Sequence, residues 1–476
     1  MVVWVISIIV ALMHIGGILC AIDAVMNART PQGSIAWAVS LATFPYVSLP
    51  MYFLFGRSKY EAYVEAMRAV ERKSRSELDK LVRREELFRA QVEGVRGEDV
   101  ATLEKLAFLP CVSGNQTRLL VDGEATFAAI FEAIERARKY VLVQFFIIHD
   151  DGLGRELKRR LLAKRRAGVR VFLLYDGMGS HQLPGRWVDE LRTAGVEVAQ
   201  FGIVSGWKGL FNLNFRNHRK VVVTDGEEAF VGGLNAGDEY LGKDARFGHW
   251  RDTHMGIKGP AVEAVQLSFA MDWYWATRTL PDLEWKPESA GPGQGRAVLV
   301  VSTGPADAEN FCELMFMQAA HAARRRLWIT SPYFVPSPAV FESMRLAAVR
   351  GVDVRIILPL RADHLMVYLA AYPCVEHARR AGMRVYRYAT GFLHQKVILV
   401  DDDLAAVGTA NLDNRSLNLN FELTTWCVDR GFAREVEEML EKDLTRCREV
   451  MEDELKDKGY AFVAATRIAR LMAPVL

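Results

Sequence analysis

Two apolar runs without charge open the chain, Val2 to Ile22 and Thr30 to Gly56, separated by a short stretch that carries Asp23 and Arg29. Each is long enough to cross the hydrocarbon of a bilayer as a helix, so the pattern predicts a transmembrane helical hairpin over residues 1–56. No Lys or Arg precedes the first run and Leu19 before Cys20 makes a poor lipoprotein-type cleavage site, which separates it from a signal peptide. Residues 57–107 then mix both signs of charge with apolar positions at helical spacing, such as Leu78, Leu81, Val82 and Leu87. They read as a charged helical connector that spaces the anchor from the body.

From Leu119 onward, short apolar runs alternate with amphipathic stretches. The pattern predicts a helix near Phe127 to Lys139, strand Val141 to Ile148, a basic helix from Arg155, strand Val169 to Tyr175, helix Trp187 to Thr193 and strand Val196 to Phe201. The later half answers with helix Cys312 to Arg326, strand Leu327 to Thr330, helix Ala339 to Val349, strand Val352 to Leu358, helix Met366 to Arg380 and strand Met383 to Tyr388. Gly168-Val169-Arg170-Val171 answers to Gly351-Val352-Asp353-Val354, so the body is a duplication. Strands alternating with helices at this spacing imply sheets covered on both faces: the fold class is α/β, with an α/β/α sandwich in each half. The stretch Ala290-Gly291-Pro292-Gly293-Gln294-Gly295 marks the linker between a first half, 108–290, and a second, 296–476.

The duplication carries chemistry. His218-Arg219-Lys220 followed by Asp225 recurs as His394-Gln395-Lys396 followed by Asp401, and each copy reaches an Asn, Asn235 and Asn411, at the same offset through a small-residue turn. The two blocks match over eighteen positions without a gap. On a strand, His and Lys at alternate positions share a face. Two such strands brought together offer two imidazoles and two ammonium groups around one small volume, which suits a phosphodiester attacked at phosphorus. Asp225 and Asp401 lie too far along to attack the same atom and are read as partners that fix the imidazole tautomers. Asn235 and Asn411 are candidate donors to a phosphoryl oxygen, and no metal or other cofactor is required.

Net charge of +2 leaves any basic site local and argues against a protein built to wrap nucleic acid. Six scattered cysteines, Cys20, Cys111, Cys312, Cys374, Cys427 and Cys447, form neither a zinc pattern nor a disulfide framework, which favours a reducing compartment. One basic residue, Arg29, lies between the apolar runs, against Arg57, Lys59, Arg68, Arg72, Lys73 and Arg75 after them. The positive-inside bias therefore puts both termini and the body in the cytoplasm. Near the C-terminus, Phe462, Val463, Ile468 and Leu471 make an amphipathic segment expected to dock on the body.

With these motifs the chain resembles the phospholipase D superfamily, and its fuller strings resemble the bacterial cardiolipin synthase branch. Those strings are Asn217-His218-Arg219-Lys220, Gly232-Gly233-Leu234-Asn235-Ala236-Gly237-Asp238-Glu239-Tyr240, Trp250-Arg251-Asp252-Thr253-His254, Thr330-Ser331-Pro332-Tyr333-Phe334, Gly408-Thr409-Ala410-Asn411 and Asn420-Phe421-Glu422. The resemblance implies two phospholipase D-like halves that share one active site on a pseudo-twofold axis, with Glu422 close to the histidines. It implies an enzyme of the bacterial inner membrane, a multi-pass protein that joins two phosphatidylglycerol molecules into cardiolipin and glycerol through a phosphatidyl-histidine on His218. His394 serves as acid and base, and Lys220 and Lys396 hold the oxygens. The rival readings are a phospholipase D-type hydrolase and a membrane scaffold with decayed copies, the latter disfavoured by intact His, Lys and Asp in both. For Asp238, Glu239, Arg251 and Asp252 the headgroup region and an inter-half salt bridge both stay open.

Overall fold

The computed structural model describes residues 2–27, 31–56, 63–64, 80, 82–202, 214–290 and 295–473. Of the expected connector, residues 57–62, 65–79 and 81, with all six basic residues counted above, and the linker residues Gly291, Pro292, Gly293 and Gln294 lie outside the described residues.

At the N-terminus, helix α1 (Val2–Asn27) is long and apolar enough to cross a membrane. The second apolar run, expected as a span made irregular by Pro45 and Pro50, forms two shorter helices, α2 (Pro31–Thr43) and α3 (Pro45–Phe55). Pro45 is the cause, because it removes an amide donor and drives the preceding Phe44 out of helical geometry, to φ −134° and ψ 57°. Both pieces fold back on α1, where the Tyr52 hydroxyl donates to Asp23 at 2.6 Å and Ser34 Oγ to the Ala24 carbonyl at 3.0 Å.

Seven strands build the first half: β1 (Val112–Val121), β2 (Tyr140–Phe145), β3 (Arg170–Asp176), β4 (Glu197–Phe201), β5 (Val221–Thr224), β6 (Glu228–Gly232) and β7 (Thr253–Lys258). Seven counterparts build the second: β8 (Arg296–Thr303), β9 (Arg326–Thr330), β10 (Asp353–Pro359), β11 (Arg384–Tyr388), β12 (Val397–Val400), β13 (Leu404–Gly408) and β14 (Asn420–Val428). Their order in the sheet is β4-β3-β2-β5-β6-β7-β1-β8-β14-β13-β12-β9-β10-β11, so each strand and the one seven later occupy mirrored places. The two half-sheets meet at the antiparallel pair β1·β8, in register at Val112 and Val298. The strands β2, β3 and β4 run parallel, as do β9, β10 and β11. Parallel neighbours need crossovers, which helices Gly152–Arg166 and Gly185–Thr193 supply in one half and Pro338–Val349 and Leu365–Arg380 in the other.

Alternation along a strand divides the core. Val141 and Val143 face Phe127, Ile130, Leu157 and Leu161, whereas Tyr140 and Leu142 join Val265 and Phe269 of helix Val262–Thr277. That second cluster also contains Leu399, Val436 and Leu440 from the other half, so the central core is common to both copies. The basic helix after Asp151 is a largely solvated face with several of its charges paired, Lys158 with Glu190, Arg159 with Glu156, and Arg160 with Glu135 and Glu156, while Lys164 bonds main-chain carbonyls. Helix Tyr460–Leu471 docks on Leu365–Arg380 through Phe462 against Tyr372, ring centroids 5.3 Å apart.

Candidate active site

Two short parallel pairings carry each motif across the seam. Arg216–Asn217 pairs with Asn420–Phe421, and Phe392–Leu393 pairs with Trp250–Arg251. The next residue in each strand is the one that matters: His218 comes to lie beside Glu422, and His394 beside Asp252. The main chains lock both, His218 N–H donating to the Phe421 carbonyl at 2.9 Å and His394 N–H to the Arg251 carbonyl at 2.8 Å. Nδ1 of His218 is 3.0 Å from each oxygen of Glu422, and Nδ1 of His394 is 2.8 Å from Oδ2 of Asp252. Each imidazole therefore takes its carboxylate from the opposite half. With Nδ1–H donated to the acid, Nε2 of His218 keeps its lone pair for an incoming group.

The lysines lie under the same two rings. Lys220 Nζ donates to the His218 carbonyl at 2.6 Å and sits 5.3 Å over the Phe146 ring. Lys396 Nζ lies 2.9 Å from Nδ1 and 3.1 Å from Nε2 of His394, and also bonds the His394 carbonyl. Both histidines are 7% exposed, and Lys220 is fully buried. Burial accordingly controls the electrostatics. It pushes His218 down to about 4 against the pull of Glu422, and Lys396 down to about 8 against Asp252 and Glu422. Lys220 is likewise held well below the usual ammonium range by burial, and His394 well below the usual imidazole range by burial and then by Lys396. Burial also raises Asp252, whereas His218 and Lys220 overcome it for Glu422 and hold that carboxyl low. The two ends of the site thus differ in charge although they match in shape.

A glycine accounts for part of the difference. A Cβ on Gly233 would run into the Asp252 carboxylate, so the first copy needs Gly there. At the equivalent position the second copy has Thr409, whose hydroxyl donates to Glu422 at 2.5 Å. Ser416 Oγ adds a bond to Glu422 at 2.7 Å.

Three sequence expectations need correction or refinement. Asp225 and Asp401 do not partner the imidazoles. The four-residue spacing carries each to the far end of its strand, where it adopts positive φ, 57° and 51°. There Asp225 accepts the main-chain N–H groups of Arg138, Lys139 and Tyr140 at 2.7–2.8 Å. Asp401 does the same for Arg324, Arg325 and Arg326, with Arg96 at 3.0 Å. Each clamps the start of the neighbouring strand. Asn235 is engaged inside its own half, accepting from Ile147 N at 3.1 Å and donating to the Tyr240 hydroxyl at 3.0 Å. Asn411 takes the Ser416 hydroxyl on its main-chain N–H at 3.0 Å, while its buried Oδ1 has no partner among the described residues.

Sequence reasoning left Asp252 among several acids and passed over Asp272 and Asp443. These last two buried carboxylates brace the middle residues of the motifs: Arg219 reaches Asp272 through Nη1 at 2.8 Å, and Gln395 reaches Asp443 at 2.8 Å. Arg251 also grips Asp443, with two bonds of 2.7 Å across the halves. Of the two readings open for Arg251, the inter-half salt bridge is the one observed. The signal available for Asp252 was its place two residues beyond Trp250, matching Glu422 two beyond Asn420.

The family described as "Cardiolipin synthase, PLD-like domain" matches residues 130–249 and 316–444, and "Phospholipase_D-nuclease N-terminal" matches residues 15–57. Cardiolipin synthase A of Pseudomonas fluorescens is 50% identical over 471 residues, which are 98% of this chain and 98% of the relative. Cardiolipin synthase A of Pseudomonas entomophila is 49% identical over the same length and shares. Among solved structures, phosphatidylserine synthase of Haemophilus influenzae superposes with a TM-score of 0.60 at 15% identity, covering 80% of this chain and 100% of its own, a likeness of fold.

Proposed function

The chain belongs to the cardiolipin synthases with a phospholipase D-like domain, and from that premise we propose that it makes cardiolipin and glycerol from two molecules of phosphatidylglycerol at the membrane. The observation that carries the reading is the crossed pairing of His218 with Glu422 and of His394 with Asp252 around two buried lysines. His218 attacks the phosphorus of the first lipid through Nε2 while Nδ1–H stays on Glu422, whose charge stabilises the imidazolium that forms. The bond from phosphorus to the glycerol headgroup breaks, and His394 delivers a proton to the departing oxygen. Lys220 and Lys396 hold the non-bridging oxygens. An ammonium has three N–H donors, and Lys220 uses one on the His218 carbonyl.

His394 must gain its proton when substrate arrives, because burial and Lys396 keep it neutral beforehand. A phosphodiester anion seated on the lysines offsets their charge and reverses that penalty. In the second step neutral His394 takes the hydroxyl proton of another phosphatidylglycerol, whose oxygen displaces His218 from phosphorus. One phosphodiester replaces another, so no nucleotide is consumed.

In this reading residues 1–56 anchor the protein, residues 57–107 connect, and the halves 108–290 and 296–476 share the one site. Helix α1 makes one pass, and α2 with α3 return the chain, leaving the body on the cytoplasmic face of the bacterial inner membrane. The deciding experiment is lipid analysis after the protein is reconstituted into vesicles of phosphatidylglycerol alone. Glycerol is released in either case: cardiolipin formed in equal amount with it supports the synthase, and phosphatidic acid in place of cardiolipin supports the hydrolase. His218→Ala and His394→Ala each abolish turnover in a protein that stays folded, and substantial residual activity in either sinks the shared site.

A further inference from the structure

The segment that leaves the membrane anchor enters the body at Tyr63, eight residues past the last residue of α3, Phe55. Tyr63 is 6% exposed, its ring centroid 4.6 Å from that of Phe421, 5.5 Å from Trp275 and 6.4 Å from Phe201. Its hydroxyl donates to Oδ1 of Asp272 at 3.1 Å. A tyrosine that only plugged a core would satisfy its hydroxyl on whatever lay near; this one meets a fully buried carboxylate that organises the first motif.

Asp272 holds the residues on both sides of His218. It accepts Asn217 Nδ2 at 2.7 Å and Arg219 Nη1 at 2.8 Å to each oxygen. Arg219 in turn donates through Nε to the main-chain oxygen of Glu422 at 3.1 Å, and its guanidinium lies 5.6 Å over Phe421. Phe421 is the residue whose carbonyl receives the His218 N–H. Two contacts of one side chain, ring on Phe421 and hydroxyl on Asp272, therefore bear on both members of the His218–Glu422 pair.

We propose that Tyr63 is a positioning residue for the His218–Glu422 pair, so that the segment emerging from the anchor sets the alignment of the reacting imidazole. The inference rests on the reading of His218 as the nucleophile. It gives the connector a part in the reaction beyond spacing, and it makes turnover depend on how the anchor seats the chain.

The test is Tyr63→Phe in the full-length protein, assayed in phosphatidylglycerol vesicles, because Phe keeps every ring contact and removes only the hydroxyl. The expected result is a kcat lowered about tenfold, of the size of one hydrogen bond to a charged group, with KM unchanged and the protein, though it melts somewhat lower, still fully folded at the assay temperature. As the hold of Glu422 on His218 loosens, the acid limb of the kcat/KM profile moves to lower pH. In the double variant with Asp272→Asn the two losses are less than multiplicative, as they are for residues acting through one contact. An unchanged kcat and pH limb in folded Tyr63→Phe overturns the inference, and so does a loss of rate that only follows a loss of folded protein. Failure of the underlying reading is told apart by His218→Ala: if that variant still turns over, the reading itself falls, whatever Tyr63→Phe does.

Discussion

Nδ1 of His218 lies 3.0 Å from both carboxylate oxygens of Glu422, a residue 204 positions later in the chain and in the other half of the molecule. A fully buried carboxylate at this distance fixes the tautomer and offers the charge that an imidazolium needs. The corresponding bond from His394 runs to Asp252 in the first half.

Glu422→Gln keeps the shape and removes the charge. The expected loss in kcat is about 100- to 10,000-fold, by analogy with triads whose acid is replaced by its amide, at nearly constant KM. Asp252→Asn falls in the same range. Steady-state assays on vesicles check both, and a loss below about tenfold in either variant contradicts the crossed pairing as the source of activation.

The pH dependence of stability has a defined sign. His218 titrates near 4 in the folded protein against 6.5 in the unfolded chain, so between those values the unfolded state binds the extra proton. Stability held above pH 6.5 is therefore lost as the pH falls toward 4, by about 3 kcal/mol for this group. Denaturant melts at both ends of the window should show a smaller drop in His218→Gln than in the native chain. Equal drops contradict the depressed imidazole.

Substrate binding should take up a proton. Because His394 is held neutral in the empty site and must be protonated to release glycerol, binding a phosphodiester anion draws a proton from solution. Calorimetry with a non-reacting phosphodiester lipid analogue in two buffers of different ionisation enthalpy measures the uptake directly. No uptake at neutral pH rules out His394 as the acid.

Asp225→Ala should act through folding. Its carboxylate accepts three main-chain N–H groups at the entrance to β2. Its loss is expected to cost about 2 kcal/mol of stability or more, while activity per folded molecule at low temperature stays within about tenfold. A stable but inactive Asp225→Ala protein would restore the aspartate to the chemistry.

Orientation in the membrane is testable by labelling. A cysteine placed at Ala28 should react with an impermeant reagent in intact cells, and one placed at Tyr460, which is 89% exposed, only after the cells are opened. Cys312 and Cys427 are buried and cannot report either way. Labelling at Tyr460 from outside would reverse the topology.

The parts of this design that repeat were readable in the sequence. Paired His, Lys and Asp at equal spacing announced the duplication, and apolar runs gave the parallel strands β2 to β4 and β9 to β11, but not the seam pair β1 and β8 or the antiparallel strands β6, β7, β13 and β14. The carboxylate partners were harder, because Asp252 and Glu422 differ in length of side chain and in their neighbours and belong to the half opposite the ring they serve. Sequence spacing carries no information about which half supplies a partner across a seam. The x4 spacing of Asp225 and Asp401 drew attention to the wrong acids, since seven residues of extended chain carry the aspartate about 23 Å from the histidine of its motif. Pro45 and Pro50 mark the second apolar run as irregular, and only the structure shows that Pro45 alone divides it, while Pro50 stays inside α3. Tyr63 had no motif around it, and only its contacts reveal it.

The exchange of carboxylates across the seam has a consequence for inheritance. A change at Asp252 is felt at His394 and a change at Glu422 at His218, so neither copy of the repeat can be altered, replaced or lost by itself without disabling a residue encoded in the other. The two halves depend on each other: room made by Gly233 for Asp252 in one copy stands against the Thr409 hydroxyl on Glu422 in the other. Such a chain is no longer two copies of one gene segment side by side but a single unit of selection.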